Sequence, residues 1–323
     1  MKILAGTPGR RKEFLSRRGK GKLPWQPPRY KDGMDVIFPA LDHLPLAGTL
    51  TDAQPPVRGA VLIASAMGVP RGFYGAFAGY LAEGGLTVLR FDYRGIGGSL
   101  RGPVGASDAT MHAWGDQDLA GALRFLRDRH PATPLLLVGH SAGGQLFGLV
   151  PDPNDVRAVL TVGAQSGYWG NWRGLGRWRM LFYWTVLFPG LTRALGYLPL
   201  KRLTGAGENV PPGVALEWSR WGRDPAYVLS YARRKDGARG YAAFTGRIRA
   251  YALADDSYAP RETVQALLDF YPSASRELLF VHPDSLGVSS IGHFGFFQRH
   301  FRDSLWSEAR NWLLAQASSQ AAA

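Results

Sequence analysis

One stretch decides the fold of this chain: Leu135-Leu136-Leu137-Val138-Gly139-His140-Ser141-Ala142-Gly143-Gly144-Gln145. Its apolar run predicts a buried strand, and the small residues around Ser141 predict a sharp turn into a helix. Glycines at 139 and 143 suit such a turn because side chains there would collide. The pattern Gly-x-Ser-x-Gly is typical of a turn that presents a serine hydroxyl at the carboxyl edge of a sheet. Chance alone predicts roughly 0.3 matches in a chain so rich in glycine, so the surrounding sequence must carry the argument.

Short apolar runs alternate with helical patterns on both sides of this stretch. Strands are predicted at 36–38, 46–50, 61–64, 86–91, 135–138, 156–162, 247–254 and 277–282. Helices are predicted at 72–83, 116–129, 142–149, 260–270 and 303–314. The first two strands are predicted to form a hairpin. The later alternation of strands and helices is typical of parallel strands covered by helices on both faces. We therefore predict an α/β fold with a mostly parallel, eight-stranded sheet.

The alternation stops between residues 165 and 244, which we predict to be a helical cap inserted before the late strands. This segment holds six of the ten tryptophans. Aromatic side chains of the cap can line a pocket for an apolar group, although most are expected to pack the cap onto the core. The predicted pocket residues are Tyr168, Trp169, Trp184 and, from the core, Phe294. The apolar stretch 180–200 also permits peripheral contact with a lipid surface.

Charge is concentrated at the start of the chain. Residues 1–31 carry ten Lys or Arg and one Glu, so most of the net charge of +13 lies there. We predict that residues 1–33 are a disordered basic extension, that 34–164 and 245–315 form the core, and that 316–323 fray. A tail that binds nucleic acid or membrane is the alternative, and no nucleic-acid partner is expected. The sequence contains no cysteine, no signal-peptide pattern and no unbroken apolar span. Together these features favour a cytoplasmic protein.

Four motifs together resemble the α/β-hydrolase superfamily, in particular its monoglyceride-lipase and serine-aminopeptidase-like branch. They are Asp92-Tyr93-Arg94-Gly95-Ile96-Gly97-Gly98-Ser99, Gly139-His140-Ser141-Ala142-Gly143, Ala254-Asp255-Asp256-Ser257-Tyr258-Ala259-Pro260 and Ile291-Gly292-His293-Phe294. The resemblance covers about residues 34–315. It implies a Ser…Asp…His catalytic order along the chain.

The candidate catalytic residues follow that order. Ser141 is the predicted nucleophile, and it needs a base to accept its proton. His293 is the predicted base, because a loop after the last strand can reach the edge where Ser141 lies. The acid that orients the histidine is Asp256 or Asp255. Family members commonly place this acid four residues before a proline, which favours Asp256 and leaves Asp255 as the alternative.

An oxyanion needs two backbone N–H donors. Ala142, directly after the nucleophile, is the first. The resemblance places the second at Met67, although this chain has Ser65-Ala66 where relatives usually have His-Gly. The glycine-rich loop 94–99 lacks a phosphate-binding pattern and is predicted to be a structural turn. We expect no metal and no cofactor.

These residues predict a serine hydrolase that cleaves carboxylic esters or related small acyl substrates through an acyl-enzyme. The same triad could serve an acyltransferase or a thioesterase. A non-catalytic binding protein with this fold is a further alternative, against which the intact Ser, Asp and His set argues. The sequence does not define the acyl length, the alcohol part or the oligomeric state.

Overall fold

The computed structural model of the protein describes residues 33–205, 207–234 and 239–319. The basic extension predicted at 1–33 therefore lies almost wholly outside the described residues. Within them, the strands are β1 (Met34–Pro39), β2 (Pro45–Thr51), β3 (Gly59–Ala64), β4 (Leu86–Phe91), β5 (Leu135–His140), β6 (Val156–Val162), β7 (Arg247–Leu253) and β8 (Ser275–Val281). In this part of the chain they form one eight-stranded sheet in the order β1-β2-β4-β3-β5-β6-β7-β8.

The sheet is mostly parallel, as predicted. β1 and β2 form the antiparallel hairpin, and β2 joins β4 antiparallel. The remaining neighbours pair in parallel, from β4–β3 across to β7–β8. All six residues of β5 are buried, because this central strand is covered on both faces. The carboxyl ends of the parallel strands meet at one edge, which is where the sharp turn at Ser141 after β5 (the elbow) lies.

Helices surround the sheet. They are α1 (Gly75–Glu83), α2 (Met111–Ala113), α3 (Ala120–Arg129), α4 (Ala142–Gln145), α5 (Gly174–Phe182), α6 (Phe188–Leu195), α7 (Leu200–Thr204), α8 (Pro212–Arg223), α9 (Leu229–Arg234), α10 (Arg239–Ala243), α11 (Arg261–Leu268), α12 (Gly292–Gly295) and α13 (Ser307–Ser318). Successive side chains of β3 point to opposite faces of the sheet. Val61 and Ile63 belong to the apolar cluster that includes residues of α1 and α13. Leu62 packs into the other cluster, with α3 and α11.

The helix after the elbow is shorter than predicted. The sequence predicts it over 142–149, but it ends at Gln145, and a 3-10 turn follows over Phe147–Leu149. The hydroxyl of Tyr241, in the cap, donates to the backbone carbonyl of Gln145 over 2.6 Å. That carbonyl is the acceptor that the N–H of Leu149 would need in a continuing α-helix.

The insertion between β6 and β7 is helical, as predicted, and holds α5 to α10. Two carboxylates join it to the core: Glu217 accepts from the ring of His112, and Glu208 accepts the N–H of Gly97. The end of the chain differs from the prediction that 316–323 fray. α13 continues to Ser318, and Ala317 is buried against Gly59 at the edge of β3. Residues 320–323 lie outside the described part.

Among the described residues, no helix combines the length and apolar character needed to span a membrane.

Candidate active site

Ser141 occupies a strained turn between β5 and α4. Its φ of 49° and ψ of −116° are unusual for a non-glycine residue. The turn is held because the N–H of Ser141 donates to the carbonyl of Val162 over 2.9 Å. A Cβ at Gly143 would lie 2.2 Å from the carbonyl oxygen of Ala64, so the turn packs directly on β3. This geometry presents the Ser141 hydroxyl at the carboxyl edge of the sheet.

His293 and Asp256 form a buried pair beside this turn. The Nδ1 atom of His293 lies 2.6 Å from Oδ2 of Asp256, and the aspartate side chain is fully buried. The second oxygen of Asp256 accepts the N–H groups of Tyr258 and Ala259, at 2.8 and 3.1 Å. The pair is tightly surrounded, since a Cβ at Gly163 would lie 3.1 Å from both polar atoms. Of the two candidate aspartates, Asp256 is therefore the one that contacts the imidazole of His293.

Asp255 has a different task. Its Oδ2 accepts from the hydroxyl of Ser290 and the N–H of Ile291, and both its oxygens accept the N–H of Gly292. Burial raises the pKa of Asp255, but these hydrogen bonds outweigh burial and hold it below its ordinary value. Asp255 thus fastens the loop that carries His293 to the end of β7, without contacting the imidazole.

A second histidine, His140, lies beneath the site. Its Nε2 atom is 2.9 Å from the backbone carbonyl of His293, and its Nδ1 atom is 2.9 Å from the hydroxyl of Tyr74. A carbonyl only accepts, so Nε2 of His140 carries the proton and Nδ1 accepts from Tyr74. The Tyr74 oxygen in turn accepts the N–H of Ala66 over 2.9 Å. Burial and the charge of the neighbouring His293 lower the pKa of His140 well below its ordinary value, which keeps it neutral.

The hydrogen bonds of Tyr74 also limit which backbone N–H groups are available to bind an oxyanion. In the loop after β3, the N–H of Ala66 is taken by Tyr74. The next residue, Met67, lines the cavity at Ser141 together with Ala66. Ala142 begins α4, so its N–H has no acceptor within the helix. The N–H groups of Met67 and Ala142 therefore remain candidates for binding an oxyanion beside Ser141.

Ser141 and His293 both line a cavity of about 340 Å³. Its wall is mainly apolar and is supplied largely by the cap: the lining includes Met180, Tyr183, Trp184, Leu187, Phe188, Leu200, Leu203, Trp218 and, from the core, Phe294. Two of the predicted pocket residues, Trp184 and Phe294, are part of this wall. Tyr168 and Trp169 are not. Their rings pack on each other at 5.7 Å, and the guanidinium of Arg177 covers Trp169.

One polar side chain of the wall, Gln165, has its amide orientation fixed by a chain of hydrogen bonds. The indole N–H of Trp218 can only donate, and it donates to the hydroxyl of Tyr227 over 2.9 Å. Tyr227 therefore donates its proton to Oε1 of Gln145, at 2.7 Å. The Nε2 of Gln145 then donates to Oε1 of Gln165. This leaves the Nε2 hydrogens of Gln165 as donors at the cavity wall.

The glycine-rich loop after β4 is built around Asp92. This buried carboxylate pairs with Arg71 and accepts the N–H of Gly98 over 2.8 Å. A Cβ at Gly97 would lie 2.6 Å from the same carboxylate, which explains the glycine there. The described residues contain no group of three or more His, Asp or Glu that could hold a metal ion.

Comparisons with known proteins agree with this architecture. Residues 55–187, less than half of the chain, match the family model described as serine aminopeptidase, S33. A soluble variant of monoglyceride lipase from Saccharomyces cerevisiae, solved with a substrate analogue, aligns with 91% of this chain and all of its own, at 15% identity and a TM-score of 0.61. The chain has the α/β-hydrolase fold.

Two further solved structures resemble this chain over most of its length. DcsB, solved with its substrate analogue, is 14% identical with a TM-score of 0.60, and the alignment covers 88% of this chain and 99% of DcsB. The esterase Pf2001 of Pyrococcus furiosus is 17% identical with a TM-score of 0.56, covering 91% of this chain and 98% of its own. No curated protein matches the chain significantly in sequence.

Several residues that support the site were not predicted from the sequence. They are Tyr74, His140, Gln145 and Gln165. A buried tyrosine or glutamine carries no local pattern in sequence, because its partners come from segments far along the chain.

Proposed function

We propose that this α/β-hydrolase is a serine hydrolase that cleaves carboxylic esters with an apolar acyl part through an acyl-enzyme. One observation carries the proposal: the buried Asp256–His293 pair opens onto the same apolar cavity as the strained Ser141. A nucleophile, a base oriented by an acid, and two backbone donors are the parts that acyl transfer requires.

The proposed reaction begins with proton transfer. Nε2 of His293 accepts the proton of Ser141 as Oγ attacks the ester carbonyl, and Asp256 holds Nδ1–H and stabilises the imidazolium. The tetrahedral oxyanion accepts hydrogen bonds from the N–H groups of Met67 and Ala142. His293 returns the proton to the leaving alcohol, which leaves an acyl-Ser141 ester. Water, deprotonated by His293, then releases the acid and restores the serine.

In this structure the Ser141 hydroxyl makes no hydrogen bond to another described residue. Such serine–histidine contacts often tighten only in the substrate complex. His293 is positioned from two sides, through Asp256 at Nδ1 and His140 at the backbone carbonyl. We therefore expect the serine hydroxyl to complete the arrangement when the acyl group enters.

The cavity supports an apolar acyl substrate. Its wall of Met, Leu, Phe and Trp side chains would bury an alkyl or aryl chain, at about 0.8 kcal/mol per methylene. The neighbour from Saccharomyces cerevisiae is a monoglyceride lipase bound to a substrate analogue, and Pf2001 is an esterase. Both are consistent with ester hydrolysis in this cavity.

The proposal is tested with a panel of esters of graded acyl length and with a fluorophosphonate probe. We expect turnover to rise with acyl length until the cavity is filled. Labelling should require Ser141 and should disappear in Ser141→Ala, while Ser285→Ala, an exposed serine away from the cavity, labels normally. Folded protein that neither labels nor turns over esters would favour the binding-protein alternative. Faster acyl transfer to an added alcohol or thiol than to water would favour an acyltransferase.

A further inference from the structure

The cap contacts the turn that carries the proposed oxyanion donor Met67. Residues 66–69 form this turn, in which the N–H of Val69 donates to the carbonyl of Ala66 over 3.0 Å. Gly68 occupies the third position with a φ of 67°, as a type II turn requires. The N–H of Met67 takes no part in that hydrogen bond. Since Met67 directly precedes Gly68, a contact that fixes Gly68 also restricts the direction of the Met67 N–H.

The core fixes the two ends of the turn. At its beginning, the hydroxyl oxygen of Tyr74 accepts the N–H of Ala66 over 2.9 Å. Just beyond its end, the N–H of Arg71 donates to Oδ1 of Asp92 over 2.6 Å, and the Arg71 guanidinium pairs with the same buried carboxylate. Gly68 lies between these two anchors, at the tip of the turn. A contact at Gly68 is therefore needed to fix the position of the tip.

Glu208 of the cap supplies that contact. Its backbone N–H donates to the carbonyl of Gly68 over 2.7 Å. Its side chain reaches a second loop of the core, because Oε2 accepts the N–H of Gly97 over 2.7 Å. Gly68 follows β3 and Gly97 follows β4, and these two strands are neighbours in the sheet. The carboxylate therefore ties to the core the same backbone that holds Gly68.

The contact between the cap and this turn is closely packed. A Cβ at Gly68 would lie 2.9 Å from the carbonyl oxygen of Glu208, and a Cβ at Gly207 would lie 2.8 Å from the carbonyl oxygen of Gly68. Leu198 and Val210 exchange two backbone hydrogen bonds of 3.0 Å, which fasten the segment that follows Glu208. The tip of the turn therefore has little room to move while Glu208 is in place.

We propose that Glu208 is a positioning residue for oxyanion stabilisation, because it holds the turn 66–69 with the N–H of Met67 directed at the reacting carbonyl oxygen. The inference rests on the proposed function, since it assigns Glu208 a part in that reaction. Glu208 does not line the cavity, so its effect falls on the transition state and not on substrate binding. The cap thus contributes to oxyanion stabilisation as well as to the cavity wall.

The test compares hydrolysis of a soluble ester with inhibition by the trifluoromethyl ketone of the same acyl chain. Ser141 Oγ adds to the ketone carbon, the serine proton passes to His293, and the carbonyl oxygen becomes an oxyanion beside Met67. We expect Glu208→Ala to lower kcat about tenfold and to raise the inhibition constant by the same factor, with KM within about twofold. Glu208→Gln keeps an oxygen that accepts from Gly97, so it should stay within about twofold of the parent in both quantities.

A matched pair of glycine variants tests the contact with Gly68 directly. Gly205 and Gly207 both have a φ of 73°, so an added Cβ strains the two backbones alike. In Gly207→Ala the Cβ would press on the carbonyl oxygen of Gly68, whereas in Gly205→Ala it meets no described atom within 4 Å. We therefore expect Gly207→Ala to lower kcat and weaken inhibition about tenfold, and Gly205→Ala to lower thermal stability alone. This pair also decides the point if Glu208→Ala does not fold.

Three results would overturn the inference while leaving the proposed function intact. Folded Glu208→Ala that keeps its kcat and its inhibition constant would show that Glu208 only stabilises the fold. Equal losses of kcat in the two glycine variants would assign the effect to backbone strain. A rise in KM without a change in the inhibition constant would place Glu208 in substrate binding. A parent protein that neither hydrolyses esters nor binds the ketone would instead refute the proposed function, and this inference with it.

Discussion

The Nε2 atom of His140 lies 2.9 Å from the backbone carbonyl oxygen of His293. The residue before the proposed nucleophile therefore supports the loop that carries the proposed base. Through Tyr74, the same imidazole is linked to the N–H of Ala66, next to the proposed oxyanion donor Met67. A buried series of hydrogen bonds thus links the loop after β3 to the loop that carries His293. We expect the relative position of these two loops to depend on those hydrogen bonds.

Tyr74→Phe should lower kcat about 10- to 100-fold with little change in KM. The substitution leaves Nδ1 of His140 and the N–H of Ala66 unpaired in a buried site, a cost of about 1–3 kcal/mol. Tyr74 does not line the cavity, so ground-state binding should be retained. The measurement is steady-state kinetics on a soluble ester with protein shown to be folded.

Tyr93→Phe is the matched control for this substitution. The Tyr93 hydroxyl is buried and has no hydrogen-bond partner in the described part of the chain, so its removal breaks no hydrogen bond there. Activity should stay near that of the parent. If Tyr74→Phe loses stability while folded protein keeps its full kcat, the link between the two loops has no catalytic role.

Asp256→Asn should lose far more kcat than Asp255→Asn. In this variant the amide oxygen would keep the N–H groups of Tyr258 and Ala259, so the amide NH2 would face Nδ1 of His293 and could not accept its hydrogen. The imidazolium would also lose its counter-charge, and we expect a total cost of about 10³- to 10⁴-fold. Asp255 contacts the loop and not the imidazole, and an amide oxygen there can still accept from Gly292. Its loss should be about tenfold. The measurement is kcat for both variants. Equal losses, or a larger loss in Asp255→Asn, would assign the role of the acid to Asp255.

Stability should fall as the pH drops below about 6.5, and His140 should cause part of that fall. Burial lowers the pKa of His140 in the folded protein, while the unfolded chain takes up the proton near pH 6.5. The contribution is thus fully present above pH 6.5 and lost on acidification, at up to about 1.4 kcal/mol per pH unit. Urea unfolding at pH 7, 6 and 5 should show a shallower dependence in His140→Gln. An unchanged dependence would mean that His140 is protonated in the folded state.

The sheet could be predicted from sequence because its strands are local patterns of buried apolar residues. The early end of α4 could not, since Tyr241 takes the carbonyl of Gln145 from nearly one hundred residues away. Aromatic composition indicated a cap pocket but not which ring would face it: Trp184 lines the cavity, whereas Trp169 is covered by Arg177. A residue's facing direction depends on tertiary packing, which a single segment does not encode.

Gln165 should select substrates that offer a hydrogen-bond acceptor in their alcohol part. The series of hydrogen bonds from Trp218 through Tyr227 and Gln145 ends at Oε1 of Gln165, which accepts the last of them. The Nε2 hydrogens of Gln165 can therefore donate to a group in the cavity. Gln165→Leu should therefore lower kcat/KM about tenfold for a glycerol monoester and hardly at all for the propyl ester of the same acid. Gln165→Glu keeps the size but replaces the donor with an acceptor, to which a glycerol hydroxyl can still donate, so part of the preference for the glycerol ester should remain. Equal losses on both esters in both variants would show that Gln165 only packs the cavity wall.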